Sequence, residues 1–177
     1  MKIFLGTIGT VGLLAIGSIS IANAQQQANS KSFAWWCQQK QAVSADARNT
    51  IDVMLEKVKT NDCQQAELRL RSLKDLNLND SRISDLNPIA GLNNLIRLQI
   101  DRNRISDLKP IAGLKNLIYL SIEDNQISDL KPLAELDLLS LSLRKNRVSD
   151  IKPLAGLVDL TNLSIESNRV GDIQPIA

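Results

Sequence analysis

A solenoid of short coils, each a strand followed by a tight turn, is the architecture this sequence predicts, with helices ahead of it. Three observations predict it. From Leu76 onward, segments beginning Leu76-Asn77-Leu78, Leu98-Gln99-Ile100, Leu120-Ser121-Ile122, Leu141-Ser142-Leu143 and Leu163-Ser164-Ile165 start 22, 22, 21 and 22 residues apart. All five prolines (Pro88, Pro110, Pro132, Pro153 and Pro175) fall at one position of that repeat. Within a unit such as Leu98 to Asp101, apolar and polar residues alternate with the period of a half-buried strand. Self-similarity at a fixed period of this length marks units that bury their apolar faces only by stacking.

Composition narrows the function classes. The chain has 177 residues, 44% hydrophobic and 23% charged, the profile of a folded domain with room for a targeting segment. A formal charge of +2 is too small for non-specific nucleic-acid affinity, so no nucleic-acid partner is expected. The absence of histidine removes His-based triads, proton shuttles and most zinc sites, and two cysteines are too few for a Cys-only metal site. With aromatics at 3%, base- or sugar-stacking platforms are disfavoured. A binding scaffold without cofactor or catalytic residues is the expected class.

The N-terminus reads as an export signal over residues 1–24. Lys2 precedes an apolar stretch from Ile3 to Ile21, and Ala22-Asn23-Ala24 supplies an A-x-A cleavage pattern. Its glycines and that ending favour cleavage over a retained membrane anchor, so no membrane span is expected in the mature chain. Residues 25–32 read as a flexible tether. An exported chain meets an oxidising compartment, where Cys37 and Cys63 are expected to be joined. Closing a loop of this size contributes about 3.5 kcal/mol in the chain-entropy treatment.

Residues 33–75 carry helical periodicity and are expected to form an N-terminal cap over the first coil. Ala47, Ile51, Met54, Leu55 and Val58 share one face, with Ser44 as N-cap and Asp46 in the first turn. Thr60-Asn61-Asp62 ends that helix, and Asp62 caps a second carrying Ala66 and Leu70. Trp35 and Trp36 are expected to pack beside Cys37 rather than form a ligand platform.

Residues 76–177 hold five units, the last incomplete, reading L-x-[LI]-x-x-N-x-[IV]-x-D-[LI]-x-P-[IL]-A-x-L. Proline fixes φ near −65° and lacks an N–H, which suits the start of a short helical turn. Asn103, Asn125, Asn146 and Asn168 stand at the bend leaving each strand, where an amide can bond backbone of its own and adjacent coils. The Asp column (Asp85, Asp107, Asp129, Asp150, Asp172) is expected to accept turn N–H groups. These units resemble the 22-residue leucine-rich repeats of bacterial internalin-like proteins. The resemblance implies an α/β solenoid with a parallel β-sheet on the concave side, short 3-10 turns on the convex side, and a role in protein–protein recognition. The helical segment more weakly resembles the cap regions of secreted cyanobacterial-type repeat proteins. Two departures stand out: Ser81 replaces the first-coil Asn, and the third unit is one residue short around Glu135 to Leu138, where a convex distortion is expected.

Function is to be read down columns of stacked residues. Counted from the first strand leucine, offsets −1, +1, +3 and +4 are expected to face the concave solvent. A docking face for a protein partner would centre on Tyr119 and Arg97 at −1, with Arg102, Glu123, Asp124 and Arg144 around them. Tyr and Arg are the types most often found at interface hot spots. The alternative is a solvated face whose opposite charges satisfy one another. Five strands stacked about 4.8 Å apart expose roughly 300–600 Å², short of the ~800 Å² per partner of a standard interface. A second class of function is a structural module, or a truncated form of a longer repeat protein, associating with another copy or partner through its open C-terminal end. There Leu163, Ile165, Val170, Ile173 and Ile176 lack a following coil in this sequence.

Overall fold

The computed structural model describes residues 31–174. The expected export signal (residues 1–24), residues 25–30 of the expected tether, Pro175 and Ile176 lie outside the described residues.

Three helices open the described chain: α1 (Phe33–Gln38), α2 (Ala45–Val58) and α3 (Cys63–Ser72). Each starts where a side-chain oxygen meets orphan amides of the first turn. Ser32 Oγ accepts from Trp35 N at 3.2 Å and Ser44 Oγ from Ala47 N at 3.1 Å. Asp62 Oδ1 accepts from Gln64 N and Gln65 N, both at 2.9 Å. The α2 helix ends at Lys59, which turns left-handed at φ 53°. The apolar stripe Ala47, Ile51, Met54, Leu55 and Val58 is buried, as its spacing predicts. A disulfide joins Cys37 in α1 to Cys63 at the start of α3. Trp36 packs at the edge of the core, whereas Trp35 is half-buried under the ammonium of Lys31, 3.7 Å from its ring centroid.

The parallel sheet and the 3-10 turns implied by the resemblance are both present. Strands β1 (Asp75–Asn77), β2 (Arg97–Gln99), β3 (Tyr119–Ser121), β4 (Ser140–Ser142) and β5 (Asn162–Ser164) form one parallel sheet in chain order. Their register matches one coil to the next, with Leu76, Leu98, Leu120, Leu141 and Leu163 stacked as partners. The convex side carries 3-10 turns at Asn87–Ile89, Lys109–Ile111, Lys131–Leu133 and Lys152–Leu154, each with proline near its start. In each, the preceding Asp receives the backbone N–H two residues on at 2.8–2.9 Å, for example Lys109 N to Asp107 Oδ1. A single apolar core runs from Phe33 in the helices to Leu157 in the fourth coil.

The strands are short because the chain must turn a corner after them. Bonding between coils continues past each strand, for instance from Ile100 N to Ser121 O at 2.9 Å and from Arg102 N to Glu123 O at 2.8 Å. The residue making the last such bond is left-handed: Asp80, Arg102, Asp124 and Lys145 lie at φ 52–56°. None is glycine, so each corner carries strain of order 1 kcal/mol. The next residue offsets it. Asn125 accepts from Ile105 N at 2.9 Å and donates to Ile100 O at 2.9 Å and Glu123 O at 3.0 Å, tying its own coil to the one before. Asn103, Asn146 and Asn168 bond in the same way.

Both departures from the repeat have local answers. Ser81 Oγ donates to Asn79 O at 3.0 Å, and Asn49 of α2 donates to Ser81 O at 3.1 Å, tying the first coil to the helices. In the second coil Leu114 N bonds Ile111 O and Leu117 N bonds Leu114 O. The shortened third coil keeps the first of these turn bonds, from Leu136 N to Leu133 O, and among the described residues lacks the second. The missing residue is thus absorbed on the convex side while β4 keeps its register with β3.

Asn125→Ala removes three bonds and leaves buried backbone groups unpaired, so a loss of about 3 kcal/mol is expected in urea unfolding. Asn168→Ala, in a half-buried setting where water can substitute, is expected to cost less than half as much. Equal losses would show that the amides do not act through burial.

Candidate functional site

The exposed face of the sheet places the expected docking residues in two groups. Parallel register sets Asp75, Arg97 and Tyr119 side by side on β1, β2 and β3. Arg97 Nε donates to Asp75 Oδ1 at 3.0 Å, and the guanidinium lies 4.2 Å from the Tyr119 ring centroid. An exposed stack of this kind is worth about 0.5–1 kcal/mol, enough to bias the orientation of both side chains. Ser140 and Asn162 continue the column without charge.

The second group stands at the corner. Arg102 grips Asp80 with two parallel hydrogen bonds, Nε to Oδ1 and Nη2 to Oδ2, both 2.6 Å. The hydrogen bond from Arg102, aided by its charge, holds the Asp80 carboxyl below the usual range, and the same bond raises the Arg102 guanidinium. Arg144 lies 3.6 Å from Glu166. Asp124 and Lys145 are exposed at the same corner. Three of the arginines thus find a carboxylate one coil away, each pair solvent-exposed and weakened by screening.

The +3 column corrects the sequence reading. Asp101 does not face solvent: it is only 9% exposed, and Glu123 is half-buried. The side chain of each turns along the sheet to the next coil. Asn79 Oδ1 accepts from Asp101 N at 2.7 Å, and Asp101 Oδ1 accepts from Glu123 N at 2.8 Å and Ser121 Oγ at 2.6 Å. Glu123 Oε1 accepts from Ser142 Oγ at 2.6 Å. This second ladder serves amides that no strand partner reaches. The serines of the +1 column, small and neutral in sequence, are its donors. The signal was present in the pairing of Ser with an acid two residues on, one coil back, and becomes visible only once register is known.

Sequence reasoning also missed Glu67. Its carboxylate is buried, accepts the Ala34 N–H at 2.8 Å and pairs with Arg71. It thereby closes the start of α1 from 33 residues away. The Arg71 pairing is an i,i+4 contact readable along α3, but nothing local announces Ala34.

Asp101 and Glu123 hold a backbone amide and serine hydroxyls of the next coil. Among the described residues, no group of three or more His, Cys, Asp or Glu side chains is placed to hold a metal ion. Also among them, no helix is long and apolar enough to cross a membrane. The arrangement offers shape, one aromatic ring and fixed charges, which are the means of recognition.

The fold and this face define a leucine-rich repeat solenoid. The family described as Leucine Rich repeats (2 copies) matches residues 93–135 and 137–177. Among solved structures, an internalin C2 of Listeria monocytogenes is similar at 36% identity and TM-score 0.58, over 76% of this chain and 51% of that one. A second Listeria monocytogenes internalin, inlF, shares 23% identity at TM-score 0.54, over 72% of this chain and 45% of that one, a likeness of fold alone. A leucine-rich repeat protein of Leptospira interrogans shares 28% identity at TM-score 0.54, over 58% of this chain and 28% of that one. The chain thus spans about half the length of the internalins it matches. No curated protein sequence matches it. The fold is that of a leucine-rich repeat solenoid, similar to the internalins.

Because the folded Asp80 carboxyl titrates below its unfolded value of about 3.9, its pairing with Arg102 stabilises the protein above that pH and is lost as pH falls through the depressed value. Arg102→Ala is expected to raise the Asp80 midpoint toward the unfolded value in a carbonyl-detected NMR titration, and an unmoved midpoint would remove the pair as cause.

Proposed function

We propose that the protein is an exported, non-catalytic scaffold that recognises a protein partner through its concave face. The observation that carries this is the Asp75–Arg97–Tyr119 stack, a pre-oriented arginine and tyrosine on the open side of the sheet. Side chains fixed before contact lose less rotamer freedom on binding. Arg102, Asp124 and Arg144 form the charged rim, and Glu123 supports it from within. The repeat match and the similarity to internalins support an interaction role, and the A-x-A ending of the apolar N-terminal stretch supports export.

A second reading is favoured by one observation. Leu163, Ile165 and Val170 are half-buried where their counterparts Leu141, Leu143 and Val148 are at most 1% exposed, and Ile173 is 63% exposed. An assembly module that stacks this coil against a second copy would bury them.

Crosslinking and pulldown from the native envelope, with the chain as bait, test the first reading. Tyr119→Ala is expected to weaken capture of the partner about tenfold, as truncation of a hot-spot residue does. Arg147→Ala, on the flank, is expected to leave capture within about twofold, and the reverse order would move the site. Sedimentation tests the second reading: concentration-dependent dimers are expected from it, and a strict monomer at high concentration would end it.

A further inference from the structure

Between the ends of α2 and α3 and the first strand lies a cleft of about 490 Å³. Val58, Leu73 and Leu76 give it apolar walls, and Lys57 and Arg69 stand on its helical side. Its other side is formed by Asp75, the residue that pairs with Arg97 on the concave face. The cleft is therefore continuous with the Arg97–Tyr119 stack, one strand away.

Its charges differ from those of the sheet. Arg97, Arg102 and Arg144 each have a carboxylate partner one coil away. Arg69 donates only to carbonyls at the end of α2, Val58 O at 2.6 Å and Lys59 O at 3.3 Å. Among the described residues, neither Lys57 nor Arg69 has a carboxylate within 4.0 Å. The one acid of the cleft, Asp75, is already paired. An apolar recess flanked by two uncompensated cations calls for an apolar group next to an anion.

We infer that this cleft is a second recognition subsite, taking from the partner a protein segment with an apolar side chain beside a carboxylate. The inference rests on the concave-face reading and deepens it. The strands alone offer too little area for a standard interface, and a segment anchored in the cleft extends the footprint at the helical end without crossing a gap. Ligand pockets of this volume are ordinary in size for a short segment.

The test needs no partner. Methyl- and amide-labelled full chain is titrated with N-acetyl-Asp-Leu-amide, N-acetyl-Lys-Leu-amide and N-acetyl-Asp-Ser-amide. The Asp-Leu peptide is expected to shift the methyls of Val58, Leu73 and Leu76 and to bind about fivefold more tightly than either other peptide, the scale of one surface charge pair. Lys57→Glu is expected to weaken Asp-Leu binding about fivefold or more, with amide shifts outside the cleft unchanged. Still methyls, or an equal response to Lys-Leu, would overturn the subsite. Movement of the Arg97 and Tyr119 amides with the cleft methyls still would overturn it while leaving the concave face in place. Cleft shifts in a chain whose Tyr119→Ala variant captures partner normally would uphold the subsite and reject the concave centre.

Discussion

Everything in the solenoid depends on how the chain leaves each strand. At that corner the backbone turns left-handed at a residue that is not glycine, and its carbonyls and amides are sealed from water by the coils on either side. Unpaired, each such group would cost 1–3 kcal/mol, more than the corner's own strain. The side-chain amide of Asn103, Asn125, Asn146 or Asn168 carries both donors and an acceptor to the one place where both are required. An aspartate there would lack the donors and a serine the reach. In the first coil, which has Ser81 at this position, the hydroxyl takes only the carbonyl two residues back, Asn79 O, and Asn49 of α2 bonds the carbonyls of Ser81 and Arg82 instead.

A corner fixed in this way sets the register, and register decides what faces solvent. With coils held one strand spacing apart, Arg97, Arg102 and Arg144 each meet a carboxylate of an adjacent coil. Asp101 and Glu123 of the +3 column turn along the sheet to serve a backbone amide and serine hydroxyls. Asp75, Asp80 and Glu166 meet arginines. Most of the sheet's charge is thereby consumed in holding coils together, and recognition is left to what remains: one aromatic ring, its stacked guanidinium and the edges of the sheet. A surface neutralised internally also presents few unpaired charges to the wrong partner.

The repeat architecture was legible in the sequence because solenoid physics is periodic. Leucine, asparagine, aspartate and proline recur at fixed offsets, and a position with one environment in every coil needs only one rule. The helical stripe of α2 was legible for the same reason, as were the caps Ser44 and Asp62. What escaped notice depended on contacts between distant segments. Asp101 looked exposed because alternation assigns a side to a residue but says nothing of whether its side chain then bends along the sheet. Glu67 gave no sign of its role, since its partner Ala34 belongs to another helix. The ring of Trp35 lies beneath Lys31 rather than within the core, a matter of how α1 lies on α3 that no spacing in α1 records.

The same distinction bears on where specificity can reside. Positions inside the repeat are bound to the coil: changing Asn125 or Leu120 alters stability before it alters binding. Positions at −1 and +4 vary freely, and here they have been filled by residues that pair with one another, which limits how much of their charge a partner can use. The junction between helices and sheet is bound by neither rule. It occurs once, is shaped by elements of different geometry, and holds two cations that pair with no carboxylate among the described residues. A repeating surface offers a partner the same contact several times over, whereas a junction offers one that cannot be mistaken for its neighbour. A ligand anchored at that junction would be held in a single register along the sheet.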